Sequence, residues 1–233
     1  MPRLRNLGLL SAVIPRHKVV TRVGRIQSLS ANLVSVVGLS DVASVGHRVS
    51  FGVAEVQGEI VLVSEDVVHV LVDGTLGGLK IGQAVQHLGE IGLYPDDSWL
   101  GRVIDGEGHP LDGQPLVNGS EIVALQNAPP PATQRRHFGA RLETGYMLFN
   151  TILPIVRGQR LGLFSGSGVG KSSLMAAFAR DTEADVVVIG LIGERGREVN
   201  QFVQRVLGKK GLERSVVVAS TSDKSALARR RAA

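Results

Sequence analysis

Cysteine is absent from the 233 residues, which excludes disulfides, thiolate metal sites and cysteine nucleophiles. Aromatic residues make up only 4%, so a packed core has to be built chiefly from branched aliphatics. No apolar run approaches the ~20 residues of a membrane-spanning helix. The N-terminal stretch places Arg16, His17 and Lys18 where a secretory peptide would carry small residues for cleavage. These absences predict a soluble cytoplasmic chain. A large charge excess is missing too. Lys and Arg (26) against Asp and Glu (21) leave +5, which permits an anionic ligand without requiring nucleic acid or membrane. His17, His47, His69, His87, His109 and His137 are scattered without ligand spacing, so no metal site is expected from them. What remains is ordinary globular composition, 43% hydrophobic and 20% charged, which argues against a disordered chain. The length suits about one and a half average domains.

The chain changes character twice. From Val19 to about Leu88, short β-rich runs alternate with Gly, Ser and Asp: Val23–Leu39, Val49–Val56, Ile60–Val72 and Leu79–Leu88. Closely spaced strands with such turns predict a small antiparallel barrel or sandwich. Between Gly89 and Asn150 the pattern is irregular and includes Pro129-Pro130-Pro131, which favours an extended connection. After Gly158 the rhythm becomes strand, loop, helix. Arg160–Phe164 is expected as a short strand and Lys171–Arg180 as a helix. Ala184–Ile192 is expected as a strand buried on both faces, and Arg197–Leu207 as an amphipathic helix through Val199, Phe202, Val203, Val206 and Leu207. Ser215–Ala219 is another expected strand, and Asp223–Ala233 begins a helix. Alternation of this kind predicts an α/β domain with a parallel sheet. The boundaries expected are a partner-binding segment over 1–18, a barrel over 19–92, a connection over 93–150 and an α/β domain over 151–233.

The strongest chemical signal is Ser165-Gly166-Ser167-Gly168-Val169-Gly170-Lys171-Ser172, which nearly satisfies G-x-x-x-x-G-K-[ST] between an expected strand and helix. Glycines let backbone N–H groups turn toward a phosphate, and a helix N-terminus adds its positive end. Lys171 would reach the β- and γ-phosphates, and the Ser172 hydroxyl would ligate Mg²⁺. Ser165 departs from the pattern by replacing the first glycine. Downstream, Gly193-Glu194-Arg195-Gly196-Arg197-Glu198 follows the expected buried strand, where ligands of open parallel sheets bind. A carboxylate there can polarise the attacking water and an arginine can stabilise charge. Acidic residues at a helix start also serve the macrodipole alone, and spacing does not separate these readings. Arg229-Arg230-Arg231 reads as a solvated helix face or a nucleic-acid patch, the latter without accompanying aromatics. Leu4, Leu7, Leu9, Leu10, Val13 and Ile14 suit a partner-binding helix or a cap on the barrel.

The run Gly158–Ser172, followed by Ile192-Gly193-Glu194-Arg195-Gly196-Arg197-Glu198-Val199, resembles the flagellar type III protein-export ATPases. Leu100–Gly106, Asn127–Pro131 and Ser220-Thr221-Ser222-Asp223 fit the same family, and the similarity runs from about Val23 to Ala233. The family is similar to the catalytic subunits of rotary ATP synthases and to the injectisome export ATPases. The resemblance implies an N-terminal β-barrel that helps assemble a hexameric ring, followed by a RecA-like ATPase domain that is partial here. It implies ATP and Mg²⁺, with Ser165 to Ser172 cradling phosphate, Ser172 on the metal, and Lys171, Glu194 and Arg195 catalytic. It implies a stator-type regulatory partner on the N-terminal segment, unfolded flagellar subunits or chaperones as cargo, and peripheral association with a membrane export gate. No nucleic-acid partner is expected. The resemblance also implies a later strand with a second Mg²⁺ anchor, an arginine finger, adenine contacts and a C-terminal helical domain, none of which these residues contain. The injectisome ATPase and a truncated, non-catalytic ring or nucleotide-binding subunit are the alternative readings.

Overall fold

The computed structural model describes residues 21–52, 56–74, 76–90, 92–125, 127–166 and 168–233. The expected partner-binding segment 1–18 and Ser167 lie outside these residues. The chain divides into two units: residues up to Tyr94 with Ser120–Leu125, and Pro95–Gly119 with Gln126–Ala233.

The first unit holds a closed barrel. Its strands are β1 (Val23–Ser30), β2 (Leu33–Val37), β3 (Arg48–Ser50), β4 (Gln57–Val63), β5 (Val67–Val72) and β6 (Ala84–Gly89), all antiparallel in the order β1-β2-β5-β4-β3-β6. The expected runs Val23–Leu39 and Ile60–Val72 are each two strands folded at a turn. Ala31, at φ 48, makes the first of these. Alternation then decides the core. Val68, Val70 and Val72 face inward from β5, against Val34 and Val36 of β2 and Ile60 of β4. Phe51 is the one aromatic in this otherwise aliphatic cluster of buried residues, as the 4% aromatic content led us to expect. Register shifts at Ile26/Ser28, Arg48/Val49 and Ile60/Leu62 supply the bends that closure requires. At Gly58 a Cβ would stand 2.5 Å from Val70 Cγ1, so only glycine lets β4 and β5 approach so closely. A two-stranded sheet of β7 (Gly92–Leu93) and β9 (Val123–Ala124) completes this unit.

The barrel also buries polar groups in pairs. Arg48 donates to Asp73 at 2.6 Å and to Gln57 at 2.7 Å, so its buried charge is matched. His47 Nδ1 lies 2.9 Å from His87 Nε2 and accepts the Ser44 backbone N–H at 3.3 Å. With Nδ1 an acceptor, His87 Nε2 is the donor of the pair. These histidines are partners in the fold although 40 residues apart in sequence.

The second unit contains a parallel sheet in the order β10 (Val187–Ile192), β11 (Ser215–Ser220), β8 (Val103–Ile104). Its helices are α1 (Met147–Thr151), α2 (Lys171–Asp181), α3 (Gly196–Gln201), α4 (Gly208–Leu212) and α5 (Ala226–Ala232). Ala176 and Ala179 of α2 pack with Ile189, Leu191, Val217 and Ala219 of the sheet and with Phe202, Val203 and Leu207. Those last three lie on a π-helical segment, Phe202–Leu207, between α3 and α4. The expected amphipathic helix thus forms with its apolar face inward, and the wider π turn carries its second half.

Two expectations are corrected. Residues 160–164 form no strand: the sheet has no place for them among its described strands, and Phe164 is 94% exposed. A strand exists only through its ladder, and apolar composition alone does not supply one. Nor is Ala184–Ile192 covered on both faces. Ile189 and Leu191 are buried with Ala176, Ala179 and the π-helical segment, while Val188, on the opposite face, is 70% exposed.

The turn after β8 is braced by charge. Arg102 forks onto Asp112 at 2.6 and 2.7 Å and onto the carbonyls of Gln114 and Pro115. Hydrogen bonding from Arg102 foremost lowers the Asp112 carboxyl from 3.8 to about 2. A depressed carboxylate stabilises the fold above its unfolded value and loses that contribution as pH falls through the folded value. The stability gap between the parent and Asp112→Asn, read from urea unfolding, should therefore be full above about pH 5 and close between about pH 4 and pH 2. A gap that stays constant with pH excludes this ion pair as its source. Farther along, α5 is capped by Ser225, whose hydroxyl accepts from Ala228 N–H at 3.0 Å, and Arg231 is ion-paired with Glu107. Arg231 is thus committed to an acidic partner inside this unit. This counts against reading Arg229–Arg231 as a free nucleic-acid patch.

Candidate functional site

Helix α2 begins at the glycine-rich loop. Gly170 occupies its N-cap with φ 94 and Gly168 has φ 78, both in the left-handed region that glycine enters without cost. At Gly166, Gly168 and Gly170 a Cβ would meet no atom within 4 Å, so the loop is open to an incoming group. Ser165 donates its hydroxyl to the Gly166 carbonyl at 3.4 Å. The small side chain in place of the first glycine is therefore accommodated. Val169, Lys171 and Ser172 are exposed. Among the described residues no side chain caps the α2 N-terminus. The first N–H groups of the helix are therefore left for water or an anion.

The other end of α2 is fastened. Arg214, just before β11, donates to the carbonyls of Arg180 at 3.3 Å, Thr182 at 2.9 Å and Ala184, and Arg180 donates to Val206 O at 2.7 Å. A cation at a helix C-terminus satisfies its last carbonyls and its dipole together. Arg214 carries no motif in the sequence. Its one visible signal is a basic residue directly ahead of an apolar run.

Residues 182–186 connect α2 to β10, and the two line a common groove of Met175, Phe178, Ala179, Val186, Val188 and Gly190. A short connection between packed neighbours makes them run in opposite directions. The N-terminus of α2 and the C-terminal end of β10 therefore lie at the same end of the unit. This brings Lys171 and Ser172 to the end where Glu194 and Arg195 emerge. The Glu194 turn is held from β11: Gly193 N–H donates to Ser220 O at 2.7 Å and Ser222 N–H to Glu194 O at 2.9 Å. Glu194 and Arg195 are exposed. Among the described residues no group of three or more His, Asp or Glu side chains could hold a metal by itself. No helix among them is long and apolar enough to cross a membrane.

A parallel sheet, an uncapped helix after a glycine-rich loop and an acid–arginine pair beyond the next strand form the arrangement that characterises nucleotide-binding units of P-loop type. Residues 145–233 match the model of the ATP synthase alpha/beta family, nucleotide-binding domain. The chain is similar to the flagellum-specific ATP synthases over about half of their length. It is 41% identical over 229 residues to that of Caulobacter vibrioides, across 96% of this chain and 52% of the relative. It is 39% identical over 234 residues to that of Pseudomonas aeruginosa, across 97% of this chain and 51% of the relative. Among solved structures, the assembled ATPase EscN in complex with its central stalk EscO, from the enteropathogenic E. coli type III secretion system, superposes with a TM-score of 0.83 at 32% identity. That match covers 90% of this chain and 51% of EscN. The chain thus spans about half the length of the proteins it matches.

Proposed function

We infer that the chain is the barrel and the first part of the catalytic domain of an ATPase serving a type III protein-export apparatus, in the first instance the flagellar one. The observation that carries this is the uncapped, glycine-turned N-terminus of α2, with Lys171 and Ser172, at the same end as Glu194 and Arg195. The residues fit a phosphate chain: open glycines, unpartnered N–H groups and a lysine at the first helical position. Lys171 binds the β- and γ-phosphate oxygens as a point charge, and the backbone of residues 165–170 cradles them. Ser172 would hold Mg²⁺, which when bound neutralises phosphate charge. Glu194 orients the attacking water and accepts its proton, while Arg195 faces the charge that develops on the γ-phosphate.

Relatives such as EscN are solved as assemblies with a stalk, which supports an oligomeric ring and a stalk or stator partner for this protein as well. On this reading, residues 1–18 bind the regulatory partner, and the ring works in the cytoplasm against a membrane export gate, on flagellar subunits and their chaperones. The injectisome reading has the EscN likeness in its favour. Loss of swimming on gene deletion supports the flagellar assignment, and loss of effector secretion the injectisome one.

Calorimetric titration of ATP and ADP into the chain, with Mg²⁺ and with a chelator, tests the core of the proposal. Mg-ATP should bind at one site, and removing the metal should weaken ATP more than ADP, because a cation held by Ser172 would offset the extra charge of the third phosphate. No binding of either nucleotide would sink it.

A further inference from the structure

We propose that Glu198 is a positioning residue for Glu194 and Arg195, holding the turn that presents both at the end of β10. Its functional half rests on the nucleotide-binding reading, and its geometric half on contacts alone. Glu198 Oε2 accepts the Arg195 backbone N–H at 3.2 Å, and Glu198 Oε1 lies 3.7 Å from the Arg195 guanidinium. The Glu198 N–H in turn donates to Arg195 O at 2.8 Å. This is the return arm of a capping box, in which an acid at the third helical position reaches back to the cap residue. The forward arm cannot form, because a guanidinium has no acceptor to offer the helix N–H groups.

On the helix side, therefore, the turn is held through Glu198, while Ser220 at the end of β11 and Ser222 just beyond it hold it from the other side. One carboxylate fixes the backbone between Glu194 and Arg195 and tethers the arginine side chain. A helix cap at an arbitrary helix would touch no functional group; here the residue capped is itself one of the pair. The carboxylate is favoured in its ionised form, since the Arg195 N–H foremost lowers its pKa and the charges of Arg195 and Arg197 add to this, against the opposing effect of burial.

Two variants separate positioning from plain helix stability. Glu198→Gln keeps a neutral acceptor for the Arg195 N–H and loses the charge; Glu198→Ala loses both. Calorimetric affinities for Mg-ATP and Mg-ADP are compared in the parent and both variants, alongside thermal unfolding. Because Arg195 faces the third phosphate, Glu198→Ala should cut the ATP-over-ADP preference roughly tenfold, the worth of one charge-assisted hydrogen bond. Glu198→Gln should restore most of it. A lowered melting temperature with an unchanged ATP-to-ADP ratio in Glu198→Ala would reduce Glu198 to a helix cap and overturn the proposal.

The second readout needs no nucleotide. In the parent, the Arg195 amide resonance should titrate with a midpoint below the ordinary glutamate value, and the titration should vanish in Glu198→Gln. An Arg195 amide insensitive to pH in the parent overturns the geometric half even where nucleotide binding is intact. Failure of the parent to bind nucleotide, with the amide titration present, would instead overturn the functional reading and leave the turn contact standing.

Discussion

Replacing Lys171 with alanine should weaken Mg-ATP binding to this chain by at least about 100-fold, or ~2.7 kcal/mol. Two contributions reach that size. A charged donor to phosphate is worth ~1.5–3 kcal/mol by itself, and its loss also leaves the phosphate charge facing only backbone dipoles. Nothing in the fold opposes the change. Lys171 is exposed and is the first residue of α2, where alanine is the better helix former. The thermal unfolding midpoint should therefore hold while the calorimetric affinity collapses. An affinity retained within about threefold would mean that the loop is a helix-capping turn rather than a phosphate site, since one surface charge contributes that little.

Glu194→Gln should give the opposite pattern, with Mg-ATP affinity kept and turnover reduced by ~10²–10⁴, the usual worth of a general base. Glutamine preserves the shape and the acceptor that orients water but cannot take up its proton. The backbone anchor, Ser222 N–H to Glu194 O at 2.9 Å, does not involve the side chain and survives the substitution. Turnover is measured on the protein purified from its native cells, before and after the chromosomal substitution. Unchanged turnover would leave Glu194 with only the macrodipole role that acids play at a helix start. The two variants dissect the site into a group that binds and a group that reacts.

The barrel and the glycine-rich turn ahead of α2 were legible for local reasons. Alternating Val and Ile between Gly and Asp turns writes strand faces directly into a run such as Val67–Val72. The glycines of the loop announce left-handed backbone wherever they occur, and Gly168 and Gly170 adopt it. The Val199, Phe202, Val203, Val206 and Leu207 spacing marked the buried side of the segment after β10, although the π turn within it left no sign in that spacing. What failed was everything that needs a distant partner. Arg160–Phe164 has strand composition and no ladder, while Val103–Ile104, too short to show a pattern, is the strand that pairs with β11. Arg48 with Asp73 and His47 with His87 look like isolated polar residues in the sequence, and Arg231 finds Glu107 across 124 residues.

The division between sequence and tertiary structure follows from the range of the forces involved. Backbone chirality, the φ freedom of glycine and the two-residue period of a strand act over a few bonds. The sequence alone therefore determined that this protein carries a β-rich unit, a glycine-rich loop ahead of a helix, and an acid–arginine pair after an apolar strand. Burial, ion pairing and sheet order depend on which segments come to lie beside each other. Only the tertiary structure decided that the barrel closes, that β10 keeps one face open, and that Arg214 fastens the far end of α2. It alone also brought the end of α2 that begins at Lys171 to the side from which Glu194 emerges, because antiparallel packing of a helix on its following strand is a property of contacts and not of composition.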